Sequence, residues 1–370
     1  MKERSPRASL PTPLRIDEPF HLISVRPSFF HHLHPPTIPA PQARLRYTLG
    51  AGGLAVYLTL VLVVTGIVEM FYYVPTPENA ALSVQTLTYL VPFGGLVRGM
   101  HYWAAQLLVL VVLLHLLRVI FTGAYAHPRR FNYLLGLGLL VACLFLDFSG
   151  YVLRWDDGIQ WALVAGTNLV KTVPGIGSSL YGMLMGGVQP GPATLVRFYA
   201  WHIFGLTLVL LVVGGWHIFR VRRDGGIAVP PPELRRDPTR ITRFELVRRE
   251  GLAALLATVL LVVLALVRPA PISPPIEEVA SLTVDGKAPW FFLWVQELLR
   301  RGNPFVWGVL VPLAILAWFV LIPYILPAAQ PRELGAWFPR GNRLAQASIG
   351  IIALILLVLT VVASLRPGGA

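Results

Sequence analysis

Apolar residues along this chain fall into long, nearly unbroken runs separated by short polar connections. Seven runs approach or exceed the roughly 20 residues that a helix needs to cross a bilayer. They cover about residues 48–73, 100–122, 132–153, 195–219, 251–268, 303–325 and 345–365, the fifth being the shortest. Runs this long without a one-sided polar stripe predict helices that are apolar all round, as in a membrane. The expected fold is therefore all-α: a polytopic membrane protein with a four-helix bundle followed by three further spans. Residues 1–46 are polar, basic and rich in proline, and read as a cytoplasmic arm rather than a secretory leader. The divisions expected are 47–222 for the bundle, 223–250 for a basic cytoplasmic linker and 251–370 for the three-helix part.

Polar positions inside the runs carry the chemistry. His101 and His115 share the second run, and His202 and His217 share the fourth, at spacings of 14 and 15 residues. An ionisable residue in a span is costly and reads as functional. Spacings near four helical turns put both histidines of a helix on nearly one face, about 21 Å apart along the axis. Two such helices side by side offer two pairs of facing imidazoles, which is the ligand set of a bis-histidine haem. Gly52 and Gly66 in the first run, and Gly136 and Gly150 in the third, repeat the spacing of 14. Lacking Cβ, they let a backbone approach a flat macrocycle, although small residues also serve ordinary helix packing in membranes. Arg98, Arg118 and Arg197 stand close to the histidines in sequence and suit haem propionates, or else anchor helix ends.

Charge fixes an expected orientation. The net charge is +13, but the arginines cluster in alternate connections: Arg129 and Arg130, the stretch from Arg220 to Arg249, and Arg332, Arg340 and Arg343. By the positive-inside rule these connections and the N-terminus are cytoplasmic, in a multi-pass protein of the cell inner membrane. The basic excess is then topological, with contacts to anionic membrane lipid, and nucleic acid is not an expected partner. Helices two and four both run inward, so His101 pairs with His202 near the outer face and His115 with His217 near the inner face. The single cysteine, Cys143, excludes a disulfide framework, an iron–sulfur cluster held by cysteines and a C-x-x-C-H haem attachment. The run Phe30-His31-His32-Leu33-His34 is a weaker metal candidate, and His21 and His127 have no distinguishing context.

Several stretches resemble the cytochrome b family, comprising cytochrome b of bc complexes and the b6 plus subunit IV pair of b6f complexes. RGMHYWAAQLLVLVVLLHLLRVIFTGAY is similar to the family's second helix, LDFSGYVLRWDDGIQWA to the end of its third, and VPGIGSSLYG with ATLVRFYAWH to the entry of its fourth. The spacing of 15 resembles the b6 branch, here with three further helices in one chain. The resemblance implies two non-covalent haem b groups, a quinol oxidised at an outer site, a quinone site at the inner face, a Rieske iron–sulfur protein and a c-type cytochrome as partners, and a homodimer. It implies a quinol:cytochrome c oxidoreductase coupled to proton translocation. The alternative is a di-haem b anchor of a dehydrogenase that exchanges electrons with the quinone pool. A histidine-bearing secondary transporter is disfavoured by the glycine rungs.

By the same resemblance the outer quinol pocket takes Tyr151, Trp155 and the segment containing Pro289, Trp290 and Phe291. Here the chain departs from the family's Pro-Glu-Trp-Tyr motif, with Pro289 at the glutamate position and Phe291 at the tyrosine position. Glu297 is the first substitute expected for the missing proton acceptor, with Asp156, Asp157 and Asp285 behind it. Arg222, Asp224 and Glu250 are the candidates at the inner quinone site. Thr48 occupies the position where b6 carries a haem-attaching cysteine, so no covalent haem is expected on this chain.

Overall fold

The computed structural model describes residues 36–234, 238–277 and 286–366. The His21 and His31–His34 readings, Asp285, and most of the N-terminal arm lie outside these residues. Among the described residues seven helices are long and apolar enough to cross a membrane: Ala51–Met70, Gly94–Phe121, Arg130–Leu153, Pro192–Arg223, Arg243–Val267, Phe305–Ile325 and Arg340–Leu365. Large apolar side chains such as Leu60, Phe204, Leu255 and Leu354 face outward, the surface expected of helices solvated by lipid.

The first helix lies along the second, and the third along the fourth. The second is the hub, also touching the third, fifth and seventh. Its start shows why. A Cβ on Gly94 would fall 2.0 Å from the Leu87 carbonyl oxygen of the short helix Ala80–Tyr89, so only glycine permits that tight approach. One turn later, a Cβ on Gly99 would lie 2.7 Å from the Cβ of Ala265, and the second and fifth helices cross there through small residues.

The fifth helix differs from the sequence reading. It begins at Arg243 rather than near residue 251, so part of the expected linker 223–250 is helical. Thr242 caps it, its side chain accepting from the Glu245 amide, and Glu245 pairs with Arg248 at 3.0 Å and Arg249 at 2.8 Å. Capping and i,i+3 or i,i+4 pairs sustain a helix where no apolar run announces one. A short antiparallel pairing of Thr37–Pro39 with Arg240–Thr242 ties the segment before the first helix to the start of the fifth.

The sixth helix contains Pro323, which cannot donate to the carbonyl four residues earlier. That carbonyl, of Phe319, accepts instead from the Tyr133 hydroxyl of the third helix at 3.0 Å. An unpaired carbonyl in an apolar surrounding is costly, so this bond joins the sixth helix to the bundle. Tyr133→Phe is expected to lower stability by about 1 kcal/mol or slightly less. Pro323→Ala in the same background should recover it by restoring the helical bond. Thermal unfolding in detergent measures both, and an unchanged midpoint for Tyr133→Phe would refute the role given to this contact.

Candidate functional site

The two helix pairs bring four histidines into two facing couples. The His101 and His202 ring centres are 6.4 Å apart, with planes at 58°. Those of His115 and His217 are 6.5 Å apart, with planes at 80°. The couples join the first histidine of one helix to the first of the other, and the second to the second. A metal–imidazole bond is about 2.0–2.1 Å, and the nitrogen lies roughly 1.1 Å from its ring centre, so one metal between two imidazoles separates their centres by roughly 6.3 Å. Both separations fit such a metal.

Hydrogen bonds fix which ring nitrogen is free. The Thr65 hydroxyl donates to the Val61 carbonyl at 2.7 Å and so accepts from His101 Nδ1, at 2.9 Å. Ser149 repeats this: it donates to Leu146 at 2.9 Å, and His202 Nδ1 lies 3.0 Å from both its hydroxyl and the Leu146 carbonyl. His217 Nδ1 donates to the Asn132 carbonyl at 3.1 Å. Protonation at Nδ1 leaves Nε2 with its lone pair for a metal. His115 Nδ1 is buried without a hydrogen-bond partner, as is Arg118 Nη2. An orphaned guanidinium nitrogen beside an imidazole couple fits a carboxylate-bearing ligand such as a haem propionate.

The glycines meet the histidines themselves. A Cβ on Gly66 would lie 3.2 Å from His101 Cε1, on Gly150 2.8 Å from His202 Cε1, on Gly136 3.3 Å from His217 Cε1 and on Gly52 3.6 Å from His115 Cε1. Each imidazole of the second helix rests on a glycine of the first, and each of the fourth on a glycine of the third. Thr65-Gly66 and Ser149-Gly150 are thus paired devices: the hydroxyl orients the ring and the glycine makes room for it. Sequence reading missed the hydroxyls, although both stand one residue before a rung glycine.

The unequal spacings also have a structural cause. Residues Trp201–Gly205 form a π-helical turn, in which the Leu206 amide bonds to the Trp201 carbonyl five residues back. A π-turn absorbs one extra residue. The 15-residue interval from His202 to His217 therefore has the phase of the 14-residue interval on the second helix, which is α-helical throughout.

A cavity of about 630 Å³ opens at the His101–His202 couple and is lined also by Tyr151, Pro289, Trp290 and Phe291. That volume is in the range of small-molecule sites. Arg98 lines it too, its guanidinium donating to the Ala270 and Pro271 carbonyls at 3.1 and 2.6 Å. Other expected members are elsewhere. Trp155 is buried in the loop core with Ile159 and Leu163, at a φ of 47°, and does not line the cavity. Arg197 turns to the end of the helix Gly177–Met185, donating to Gly182 at 3.2 Å. Glu297 is buried away from the cavity, its carboxylate 3.3 Å from Arg366 and 3.9 Å from Arg300. Asp156 is held by Arg154 and by the Gly158 and Ser273 amides, while Asp157 is exposed. Trp155, Arg197 and Glu297 depart for a shared reason: an apolar core, a backbone carbonyl and an arginine, none of them marked in the local sequence, hold these side chains elsewhere. At the other end Asp224 is engaged by Arg220 and Arg223, both at 3.0 Å.

The carboxylates that do line the cavity are Glu69 and Asp147. Both lie within predicted spans, and the cost of a buried charge in a membrane was the signal for them.

The family model described as Cytochrome b(N-terminal)/b6/petB matches residues 106–275. The chain is similar to a cytochrome b6 of Heliomicrobium gestii, 40% identical over half of this chain and 88% of the relative. It is likewise similar to a menaquinol:cytochrome c reductase cytochrome b subunit of Geobacillus thermodenitrificans, 39% identical over 47% of this chain and 78% of the relative. A solved structure titled Hyperthermophilic respiratory Complex III shares the fold at a TM-score of 0.73, covering 87% of this chain and 85% of that one at 21% identity.

Two outcomes test this geometry. Gly150→Ala forces a Cβ to within 2.8 Å of His202 Cε1 and should lower the haem content. Gly52→Ala makes only ordinary contact at 3.6 Å and should keep full haem content. Equal haem content in the two variants would refute the rung role. Separately, deleting Phe204 should convert the π-turn to α-helix and leave the haem content unchanged. Deleting Val109 from the second helix should lower it, because no bulge is there to take up the change. Haem-to-protein ratios read all four variants, and loss of haem on deleting Phe204 would contradict the phase argument.

Proposed function

Since the chain belongs to the cytochrome b/b6 family, we propose that it is the di-haem b subunit of a bc/b6f-type quinol:cytochrome c oxidoreductase that couples electron transfer to proton translocation. The observation that carries this reading is the pair of imidazole couples, each with ring centres at a metal-sharing distance, one of them opening on the cavity that holds Trp290 and Phe291. Haem b supplies a reversible one-electron couple at each pair. His101 and His202 would hold one group and His115 and His217 the other. Gly52, Gly66, Gly136 and Gly150 give the imidazoles room, and Thr65 and Ser149 fix their tautomers. Arg118 offers a free guanidinium nitrogen to a propionate, and Arg98 stands at the rim of the other site. Quinol would bind among Tyr151, Pro289, Trp290 and Phe291. A quinone site would lie at the opposite face, where Arg222 and Glu250 are the remaining candidates.

The arginine-rich connections support placing the His115–His217 end and the N-terminus on the cytoplasmic side of the cytoplasmic membrane. A Rieske protein and a c-type cytochrome would take electrons on the other side, in a complex built on a homodimer. An electron moving inward works against the membrane potential by about 2.3 kcal/mol per 100 mV for a full crossing, so the outer site requires the lower potential. The hydrogen bonding supports that order. Acceptors on Nδ1–H make a ligand imidazole more basic and favour the ferric iron. His101 and His202 both have them, whereas His115 has none.

Redox titration of the purified complex should resolve two b-type haems of different potential. His202→Leu should remove the lower-potential component, and a Rieske protein should copurify. A single haem, or loss of the higher-potential step in His202→Leu, would overturn the assignment. Two haems with a dehydrogenase partner in place of the Rieske protein would favour the anchor alternative.

A further inference from the structure

On the family's pattern a carboxylate is expected at position 289, and this chain has proline there. The cavity nonetheless contains a carboxylate that no structural bond fully occupies. Asp147 lines it from the third helix, three residues before the rung glycine Gly150. Its Oδ2 is shielded and has no hydrogen-bond partner. Its Oδ1 accepts from the Gln106 amide nitrogen at 3.4 Å, a long contact. The Gln106 amide oxygen in turn accepts from the Trp290 indole at 2.9 Å. One orientation of Gln106 satisfies both partners, so Asp147 is linked through one side chain to the segment that lacks the glutamate.

We propose that Asp147 is the residue that takes the hydroxyl proton of the quinol in this cavity, the assignment resting on the quinol-oxidising reading above. Quinol gives up two electrons and two protons on becoming quinone. One O–H breaks toward the Asp147 carboxylate, and its electron would pass to a haem held by His101 and His202; the proton of the other hydroxyl leaves with the electron taken by the external iron–sulfur acceptor. A general base must come within hydrogen-bond reach of the proton it removes, directly or through one water. The Asp147 side chain lines the cavity; its unpartnered Oδ2 is covered in the structure, and a turn of the carboxylate presents it to the quinol while Gln106 contacts the other oxygen. Besides the two histidines, other ionisable groups on the same wall include Glu69 and Tyr73 at the end of the first helix, Arg98 and Tyr102 from the second, Tyr151 from the third with Arg154 just beyond it, and Tyr199 from the fourth. Glu69 Oε1 is likewise without a hydrogen-bond partner and lies 4.0 Å from His101 Nδ1; what distinguishes Asp147 is its link through Gln106 to Trp290. Glu297 and Asp156 do not line the cavity and are paired with Arg366 and Arg154.

The test uses the purified complex with a reduced quinol analogue and a cytochrome c acceptor. Asp147→Asn should lower kcat about 100-fold, the scale of a lost general base, with KM changed less than threefold and both haem spectra intact. Asp147→Glu should restore at least a tenth of the wild-type rate. An Asp147→Asn complex with both haems that turns over within twofold of wild type overturns the assignment and leaves the di-haem reading standing. Absence of quinol oxidation in the wild-type complex overturns that reading instead. Should the asparagine variant lose haem, infrared difference spectra of the wild type and Asp147→Glu decide. A carboxylic-acid band that appears on quinol oxidation and moves in the glutamate variant supports the assignment, and a band unmoved or absent refutes it.

Discussion

Everything in this molecule depends on fitting four imidazole rings, each of fixed orientation, between helices that would otherwise close on one another. Two helices in contact run about 8–10 Å apart, and an inward histidine collides with its neighbour unless that neighbour gives way. Here the neighbour gives way by having no side chain. Gly66 and Gly150 face the imidazoles of one couple, Gly136 and Gly52 those of the other. This fixes which helices must be adjacent, the first with the second and the third with the fourth. It also fixes their relative height, because a shift of one residue would replace Gly66, Gly136 and Gly150 by residues with a Cβ. The π-turn at Trp201–Gly205 obeys the same requirement. It is the local distortion that returns His217 to the face occupied by His202.

A membrane makes that requirement stricter than water would. Helices in lipid gain little from the hydrophobic effect on meeting one another, so association rests on close packing and hydrogen bonds. The bundle uses both sparingly and in specific places. Gly99 against Ala265 brings the fifth helix onto the second. Tyr133 satisfies the carbonyl freed by Pro323. Asn342 donates to the Ile120 carbonyl at 2.8 Å where the seventh helix begins. Each contact settles a carbonyl or a backbone approach that the apolar surroundings could not settle.

Much of this was legible in the sequence, for reasons that can be stated. Apolar runs give spans because the bilayer sets their length. Histidines and glycines at a common spacing give the couples because a helix has one period. The loop motif places Tyr151, and the Pro-Trp-Phe segment places Trp290. What escaped depended on non-local partners. Nothing local marks Glu297 as the neighbour of Arg366, 69 residues on, or Trp155 as part of the loop core. The start of the fifth helix escaped because capping and ion pairs extend it beyond its apolar stretch. Thr65 and Ser149 escaped because a lone hydroxyl in a span commonly bonds its own helix. Both do so here as well, and that bond makes each an acceptor for an imidazole.

The two cavity carboxylates show how a function and its usual sequence position can separate. A proton acceptor is defined by reach and by an available lone pair, not by the element that carries it. A loop glutamate beside Trp290 could satisfy both conditions, and so can an aspartate on the third helix held to Trp290 through Gln106. The helix position has a cost, since a carboxylate within a span must face water, a partner or a cavity. The cavity beside His101 and His202 removes that objection for Asp147 and Glu69. With Asp147 as the proposed acceptor, Pro289 is acceptable in the loop, which then needs only to close the cavity and present Trp290. On the proposed reading, this chain keeps the electron path rigid through glycine-backed imidazoles and moves the proton's first acceptor from a loop onto the same rigid helix.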